Sequence, residues 1–238
     1  MAHRGPDDQG TYVAPGIGLG NRRLAILDLS TAGHQPMSTP GSGLWITYNG
    51  EIYNHRELRE ELERCGHQFR SKTDTEVVLA AYQNWGPACL NKFNGMFAIG
   101  IWDARHRRLF LARDRIGIKP LYYYFDGYTL LFASEMKAIL ADPLVPRQLN
   151  PKGVANYFTF GHSVAPDTIF HNIKKVPPGH YLMCKPDDGD KLQLRIRRYW
   201  SLPVPGLTSE DAGEEYYAER VNHLLEESVR RRLISDVP

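Results

Sequence analysis

Apolar positions change their period twice along the 238 residues of this chain. Between residues 11 and 48 they alternate or cluster in short runs: Tyr12-Val13, then residues 17–27 after a Pro15-Gly16 break, then Leu44-Trp45-Ile46-Thr47-Tyr48. Such a pattern predicts strands joined by turns. From Asn54 the period becomes helical. A helix over 54–65 places Leu58, Leu62 and Cys65 on one face, with Asn54 as its cap and Glu57 at the capping-box position. A second helix over 73–85 opens on the capping box Thr73-Asp74-Thr75-Glu76 and repeats Val78, Ala81, Tyr82 and Trp85 at helical spacing.

From Met96 the pattern returns to period two or to continuous apolar runs, predicting consecutive strands over 96–102, 109–113, 121–125 and 128–133. Residues 103–107 and Asp126-Gly127 supply turns between them. Short helices follow over 135–141 and 151–158, and Pro177-Pro178-Gly179 leads into a strand over 180–184. Residues 186–208, polar and rich in Pro and Gly, read as a linker. Residues 210–233 form one amphipathic helix whose apolar face, Tyr217, Val221, Leu224, Leu225 and Val229, needs a partner surface. Helices in succession, then strands in succession, predict an α+β fold with mainly antiparallel sheets and helices outside.

Composition narrows the function classes. A hydrophobic share of 42% and a charged share of 24% are those of an ordinary globular protein. Lys+Arg (29) and Asp+Glu (27) nearly cancel, so no global field favours nucleic acid or an acidic membrane. The basic runs Arg195/Arg197/Arg198 and Arg230-Arg231-Arg232 are short and read as solvated faces. Cys65, Cys89 and Cys184 show neither paired nor metal-binding spacing, which suits a reducing cytoplasm, and each reads as a small buried residue rather than a nucleophile. No stretch is long and apolar enough to cross a bilayer.

Candidate chemistry begins at Asn49-Gly50-Glu51-Ile52-Tyr53-Asn54, after the apolar run 44–48. Asn-Gly has two meanings here. It is the strongest short-range signal for a hairpin turn. It is also a tight bend that presents an amide side chain and a bare backbone N–H together, a pair of donors for a developing oxyanion. Four further segments stand out: His3-Arg4-Gly5-Pro6-Asp7-Asp8-Gln9-Gly10, Asn21-Arg22-Arg23-Leu24-Ala25-Ile26, Ser71-Lys72-Thr73-Asp74-Thr75-Glu76, and Arg113-Asp114-Arg115-Ile116-Gly117-Ile118-Lys119-Pro120-Leu121-Tyr122 with Ala133-Ser134-Glu135-Met136-Lys137 after it.

In this order the segments resemble the glutamine-hydrolysing domain of asparagine synthetases, a class II glutamine amidotransferase of the N-terminal-nucleophile fold. The resemblance runs from His3 through Tyr199-Trp200 to Ser235-Asp236-Val237-Pro238. It implies a four-layer αββα sandwich of two mainly antiparallel sheets. It divides the chain into an amidotransferase domain (1–185), a linker (186–208) and the start of a synthetase, or ATP pyrophosphatase, domain (209–238). It also implies which groups meet glutamine. Arg23 is suited to a bidentate pair with the α-carboxylate, against an alternative as an exposed strand arginine like its neighbour Arg22. The backbone of Leu24, Ala25, Ile26 and Leu27 lines the same pocket. Asp74 pairs with the α-ammonium, and as a helix-start acid it also gains about 1 kcal/mol or less. The Asn49 amide and the Gly50 N–H form the oxyanion hole, while Glu51 contacts the amine, fixes the loop, or is a solvated turn acid. Arg4 and the Gly5-Pro6-Asp7 turn shape the nucleophile end or are structural. The implied cavity has the size of one amino acid.

The family's nucleophile is a cysteine at the mature N-terminus, with its own amine as base, followed by a strand and a helix before His-Arg-Gly-Pro-Asp. This chain begins Met1-Ala2-His3, and none of its cysteines occupies an equivalent position. After Ser-Asp-Val-Pro the family continues into a Ser-Gly-Gly-x-Asp-Ser loop that cradles ATP. The expectation is therefore a chain truncated at both ends, without glutaminase activity, and of low stability from an uncovered sheet edge. No cofactor is expected on the chain itself; ATP, Mg2+ and L-aspartate belong to the parent enzyme's further domain, with L-glutamine here and a homodimer as one assembly the resemblance allows. Rival expectations are an amidotransferase with a sugar or peptide acceptor, and a non-catalytic module that binds glutamine or docks on a synthetase.

Overall fold

The computed structural model describes residues 1–187, 189, 191–203 and 212–236. Its strands are β1 (Asp8–Ala14), β2 (Ile17–Arg23), β3 (Met37–Ser38), β4 (Leu44–Ile52), β5 (Gly95–Asp103), β6 (Arg108–Arg113), β7 (Tyr122–Phe125), β8 (Leu130–Ala133), β9 (Ile173–Lys175), β10 (His180–Pro186) and β11 (Leu192–Arg198). The α-helices are α1 (His55–Arg64), α2 (Asp74–Trp85), α3 (Met136–Ile139), α4 (Pro151–Phe160) and α5 (Glu214–Arg232). The strands form a six-stranded sheet in the order β11-β10-β6-β5-β4-β3, a three-stranded sheet β8-β7-β9 and the hairpin β1-β2. Every strand pairing among the described residues is antiparallel. Among the described residues no helix is long and apolar enough to cross a membrane.

The continuous apolar run of β5 follows from a sheet covered on both faces. Phe97, Ile99 and Ile101 join a core with Leu58 and Leu62 of α1 and with Val78, Ala81 and Tyr82 of α2. Ala98, between them, joins a second core with Leu111, Leu121, Tyr123, Val176 and Leu182, with Phe132 packed against it. The period of two along β5 thus puts helices on one side and the smaller sheet on the other. A third cluster, Tyr124, Ile139, Val145 and Ile173, packs α3 onto the smaller sheet.

Asn49-Gly50 makes neither a hairpin nor a bend. Both residues lie inside β4, opposite Ala98 and Phe97 of β5, and Gly50 is not among the residues with positive φ. Close approach is the reason for the glycine: a Cβ there would lie 2.7 Å from Phe97 Cα and would collide with the Met96 carbonyl. The strand predicted over 17–27 ends at Arg23, because the residues beyond it wrap around that side chain. Part of the segment read as a linker is a strand: β11 pairs with β10 along its length, and the alternation Leu192, Leu194, Ile196 was its signal. Residues 188, 190 and 204–208 of that segment, and 209–211 after it, lie outside the described residues. Asn54 precedes α1 but its side chain does not cap it. Instead it donates to the Lys92 carbonyl (3.0 Å) and accepts from Asn94 N–H (2.9 Å). Thr73 does cap α2, accepting from Glu76 N–H. The apolar residues of α5 are exposed.

Candidate functional site

A cavity of about 980 Å3 opens between β2, β4, β5, α2 and the smaller sheet. It is lined by Arg23, Leu24, Ile26, Leu27, Asn49, Gly50, Glu51 and Asp74, joined by Asn21, Gln35, Tyr48 and Lys119. Groups as far apart in the chain as Asn21 and Lys119 therefore share one space. Its size is at the upper end for ligand pockets, about 300–1,000 Å3, and exceeds the single amino acid expected. The floor is shaped by small residues: Ala98 and Gly100 of β5 lie opposite Asn49 and Thr47, beside Leu121 and Phe132. Ala25 is not among the lining residues; its N–H donates to Asp7 Oδ2 (2.9 Å). Arg4 is a lining residue while Gly5, Pro6 and Asp7 are not.

Asp74, the first residue of α2, is buried at one end of this cavity. Its Oδ2 accepts from the Ile52 N–H (2.9 Å) and the Tyr48 hydroxyl (2.8 Å). Burial pushes its carboxyl above the usual range, against the pull of these two donors and His55. Glu51 is also pushed upward, by burial and then by Asp74, with Lys119 and Arg232 opposing. Two carboxyls raised mainly by burial, Glu51 also by the Asp74 charge beside it, define a place where a cation is welcome. The Tyr48 hydroxyl is held protonated by burial and by Asp74.

The backbone of β4 supplies a donor. Tyr53 N–H bonds to the Asn94 carbonyl on the β5 side. Tyr48 N–H points to the other edge, where it meets Gln35 Oε1 (2.7 Å), and so does Ile52 N–H, which meets Asp74. Strand alternation puts Gly50 N–H on that same outer edge, between them. Its cross-strand neighbour Phe97 confirms this, because Phe97 N–H and C=O are both engaged by Asp114 on the opposite side. Gly50 N–H meets no acceptor among the described residues. The Asn49 side chain, one residue away, likewise has no hydrogen bond among the described residues. A free N–H beside a free amide can stabilise a negative oxygen.

Arg23 is buried, and its guanidinium is spent on its own loop. Nη1 donates to the Ser30 carbonyl (3.2 Å), and Nη2 to the carbonyls of Leu27 (2.9 Å) and Asp28 (2.6 Å). A Cβ at Gly33 would collide with this guanidinium, so glycine lets the loop close over it. Since Nη2 belongs to both edges through which a guanidinium forks onto a carboxylate, the expected bidentate clamp is occupied by backbone. Nε–H and one Nη1 proton remain.

Asn21, Gln35, Tyr48 and Lys119 are among the lining residues the site expectation omitted. Asn21 Nδ2 donates to Gln35 Oε1 (3.2 Å) and Thr47 Oγ1 (3.1 Å), tying β2 to β4. Gln35 Nε2 reaches Thr75 Oγ1 of α2 (3.3 Å). Asn21 and Lys119 sit in segments singled out above; Gln35 has no local signal. Next to the lining residue Ser134, Glu135 is lowered to about 2 by Lys137, His3 and Arg4, with His3 Nε2 2.8 Å and Lys137 Nζ 2.9 Å away. No cysteine lines the cavity. Burial pushes the Cys89 thiol up to about 12 and Cys184 to about 11, while Cys65 is exposed at the end of α1.

An acid pair, a free amide beside a free N–H, and an arginine-centred loop thus surround one cavity. The chain belongs to the glutamine amidotransferase domain family, whose profile matches residues 1–200. It is 40% identical over 241 residues to glutamine-hydrolysing asparagine synthetase 3 of Bacillus subtilis (strain 168), covering 100% of this chain and 38% of that protein. A putative glutamine-hydrolysing asparagine synthetase 2 of Methanocaldococcus jannaschii is 38% identical over 100% of this chain and 48% of its own length. Amidase chry2 of Gibberella zeae is 36% identical over 100% of this chain and 35% of its own length. The chain thus spans less than half the length of these relatives. Among solved structures, a glutamine phosphoribosylpyrophosphate amidotransferase from Bacillus subtilis superposes with a TM-score of 0.52 over 79% of this chain and 35% of that one. At 21% identity that likeness is one of fold.

Proposed function

We propose that the cavity binds glutamine and that the chain is the glutaminase portion of a glutamine-dependent asparagine synthase. The observation that carries this is the convergence of Asp74, Glu51, Asn49, Gly50 and the Arg23 loop on one space. The α-ammonium sits against Asp74 and Glu51. The α-carboxylate sits at the Arg23 loop and takes the remaining Nε–H or Nη1 proton as a single prong. The side-chain amide lies over Asn49 and Gly50, whose free donors take the oxygen as it gains charge. In other enzymes one such donor is worth about 3–4 kcal/mol of transition-state stabilisation.

The attacking thiol is not among the cysteines of this sequence, because none of them lines the cavity. A polypeptide of these 238 residues therefore releases no ammonia from glutamine above background. The packing of α1 and α2 on one sheet and α3 on the other supports the four-layer αββα arrangement. The parent reaction this implies converts ATP, aspartate and glutamine to asparagine, AMP, pyrophosphate and glutamate. Its ATP and Mg2+ chemistry is assigned to the parent enzyme's synthetase domain. The amidase relative, matched at nearly the same identity, favours a second reading in which the ammonia goes to another acceptor.

Calorimetry with glutamine tests the proposal. Binding is expected in the wild-type chain and is lost in Asp74→Ala and Arg23→Ala. Equal heats for all three chains, or none in the wild type, would remove glutamine from the cavity.

A further inference from the structure

The last described residue reaches back to the cavity. Asp236 Oδ2 accepts from Asp28 N–H (2.7 Å), and Asp236 N–H donates to the Ile26 carbonyl (3.0 Å). These are the residues of the loop whose Ile26 and Leu27 line the cavity and whose Leu27 and Asp28 carbonyls hold Arg23. Asp28 also has a positive φ of 55°, and its Oδ2 accepts from Lys72 N–H (2.8 Å), just before α2. One residue thus joins the arginine loop, the approach to Asp74 and the segment after α5. The end of α5 is laid against the same region: the Arg232 guanidinium lies 4.6 Å from the Tyr53 ring centroid, and Arg231 Nη1 is 3.9 Å from Glu57 of α1.

We propose that Asp236 is a positioning residue for the amino-acid cavity: it straps the 24–28 loop in the shape that presents Arg23, so that glutamine binding and docking of the segment after α5 favour one another. The physical reason is linkage. A loop with two fewer hydrogen bonds samples other shapes, and a ligand must then supply the ordering free energy that the strap otherwise supplies. The coupling runs both ways, since a ligand that orders the loop makes a better surface for Asp236.

The binding arm of the test rests on the glutamine reading above; the exchange arm does not. Hydrogen exchange is measured on the full chain, on Asp236→Ala and on Asp236→Asn, which keeps an oxygen acceptor, with amides of α2 and β5 as internal controls. Asp236→Ala is expected to speed exchange over residues 26–28 without change in the controls, and Asp236→Asn to retain most protection. Glutamine affinity falls about tenfold in Asp236→Ala, the scale of one charge-assisted hydrogen bond. Glutamine in turn slows exchange over residues 231–236 of the wild type, an effect a purely structural contact does not produce. Unchanged protection over 26–28 in Asp236→Ala overturns the strap. So does an unchanged glutamine affinity beside a loosened loop. A wild-type chain that binds no glutamine defeats the glutamine assignment, and the strap is then decided by exchange over 26–28 alone.

Discussion

The two charged ends of the cavity are held by opposite means. At the Asp74 end everything is buried and bonded: Thr73, Asp74, Thr75 and Glu76 are at most 5% exposed. The Glu76 carboxylate takes N–H groups from Arg70 and Ser71 and the Ser71 hydroxyl. At the Arg23 end the shape comes from a loop with Leu24 and Leu29 more than half exposed. That loop is fixed by a few distant partners, Asp7, Lys72 and Asp236. Helix and strand thus make the Asp74 end a fixed point, while the Arg23 end is adjustable. A site that fixes one end and tunes the other can discriminate strongly yet still open for entry and release.

The sharpest way to break that contrast is at the rigid side. Gly50→Ala forces a methyl group against Phe97 and Met96 and is expected to cost about 3 kcal/mol of stability, read as a lower urea midpoint. An unchanged midpoint would show that β4 and β5 part easily there. Next comes the adjustable side. Arg23→Met strips three carbonyls of their donors and is expected to cost about 2 kcal/mol, with faster exchange confined to residues 24–33. Spread of that loss into α2 would contradict the division into two ends.

Asp74→Asn separates charge from architecture. Asparagine still accepts from Ile52 and Tyr48, so stability changes by about 1 kcal/mol or less, while glutamine binding disappears. A variant that keeps its affinity would place the ammonium elsewhere. The smallest effect is a pH slope. Asp74 and Glu51 have raised pKa values in the folded state, so the native chain holds more protons than the unfolded one above the ordinary carboxylate values of 3.8 and 4.5. Stability from these groups is therefore present at low pH and lost as pH rises through their folded values. Glu135, lowered to about 2, works in the opposite sense, losing stability as pH falls, and its exposure makes it weak. In thermal melts between about pH 4 and pH 7, Glu51→Gln and Asp74→Asn are expected to rise relative to wild type as pH increases. Parallel curves would show that burial does not penalise these charges.

Helices α1 and α2 and strands β5 to β8 were legible because their faces are set by local period. The lining of one cavity by Asn49, Gly50, Glu51 and Asp74 was anticipated by the family resemblance of their segments, not by local period or spacing. What escaped was decided at long range. Asn49-Gly50 reads as a turn until β5 is laid beside it, since only the partner strand explains the missing Cβ. Arg23 reads as a free clamp because its loop carbonyls follow it by four to seven residues with no pattern to announce the wrapping. Gln35 enters the site by bonding three other segments, and nothing around it in the chain marks it. Strand β11 was legible in its alternation but hidden by the polar, Pro- and Gly-rich stretch that contains it.

The depth of the cavity is set by atoms that are absent. Gly100 leaves a gap in which a methyl group would stand 2.9 Å from the Phe132 ring and 3.1 Å from the Thr47 methyl. One nucleotide change at that codon, to alanine or valine, would raise the floor without altering any polar group at the walls. The chamber thus has a volume dial separate from its charge settings, and guests of different bulk could be selected there while the chemistry above stays the same.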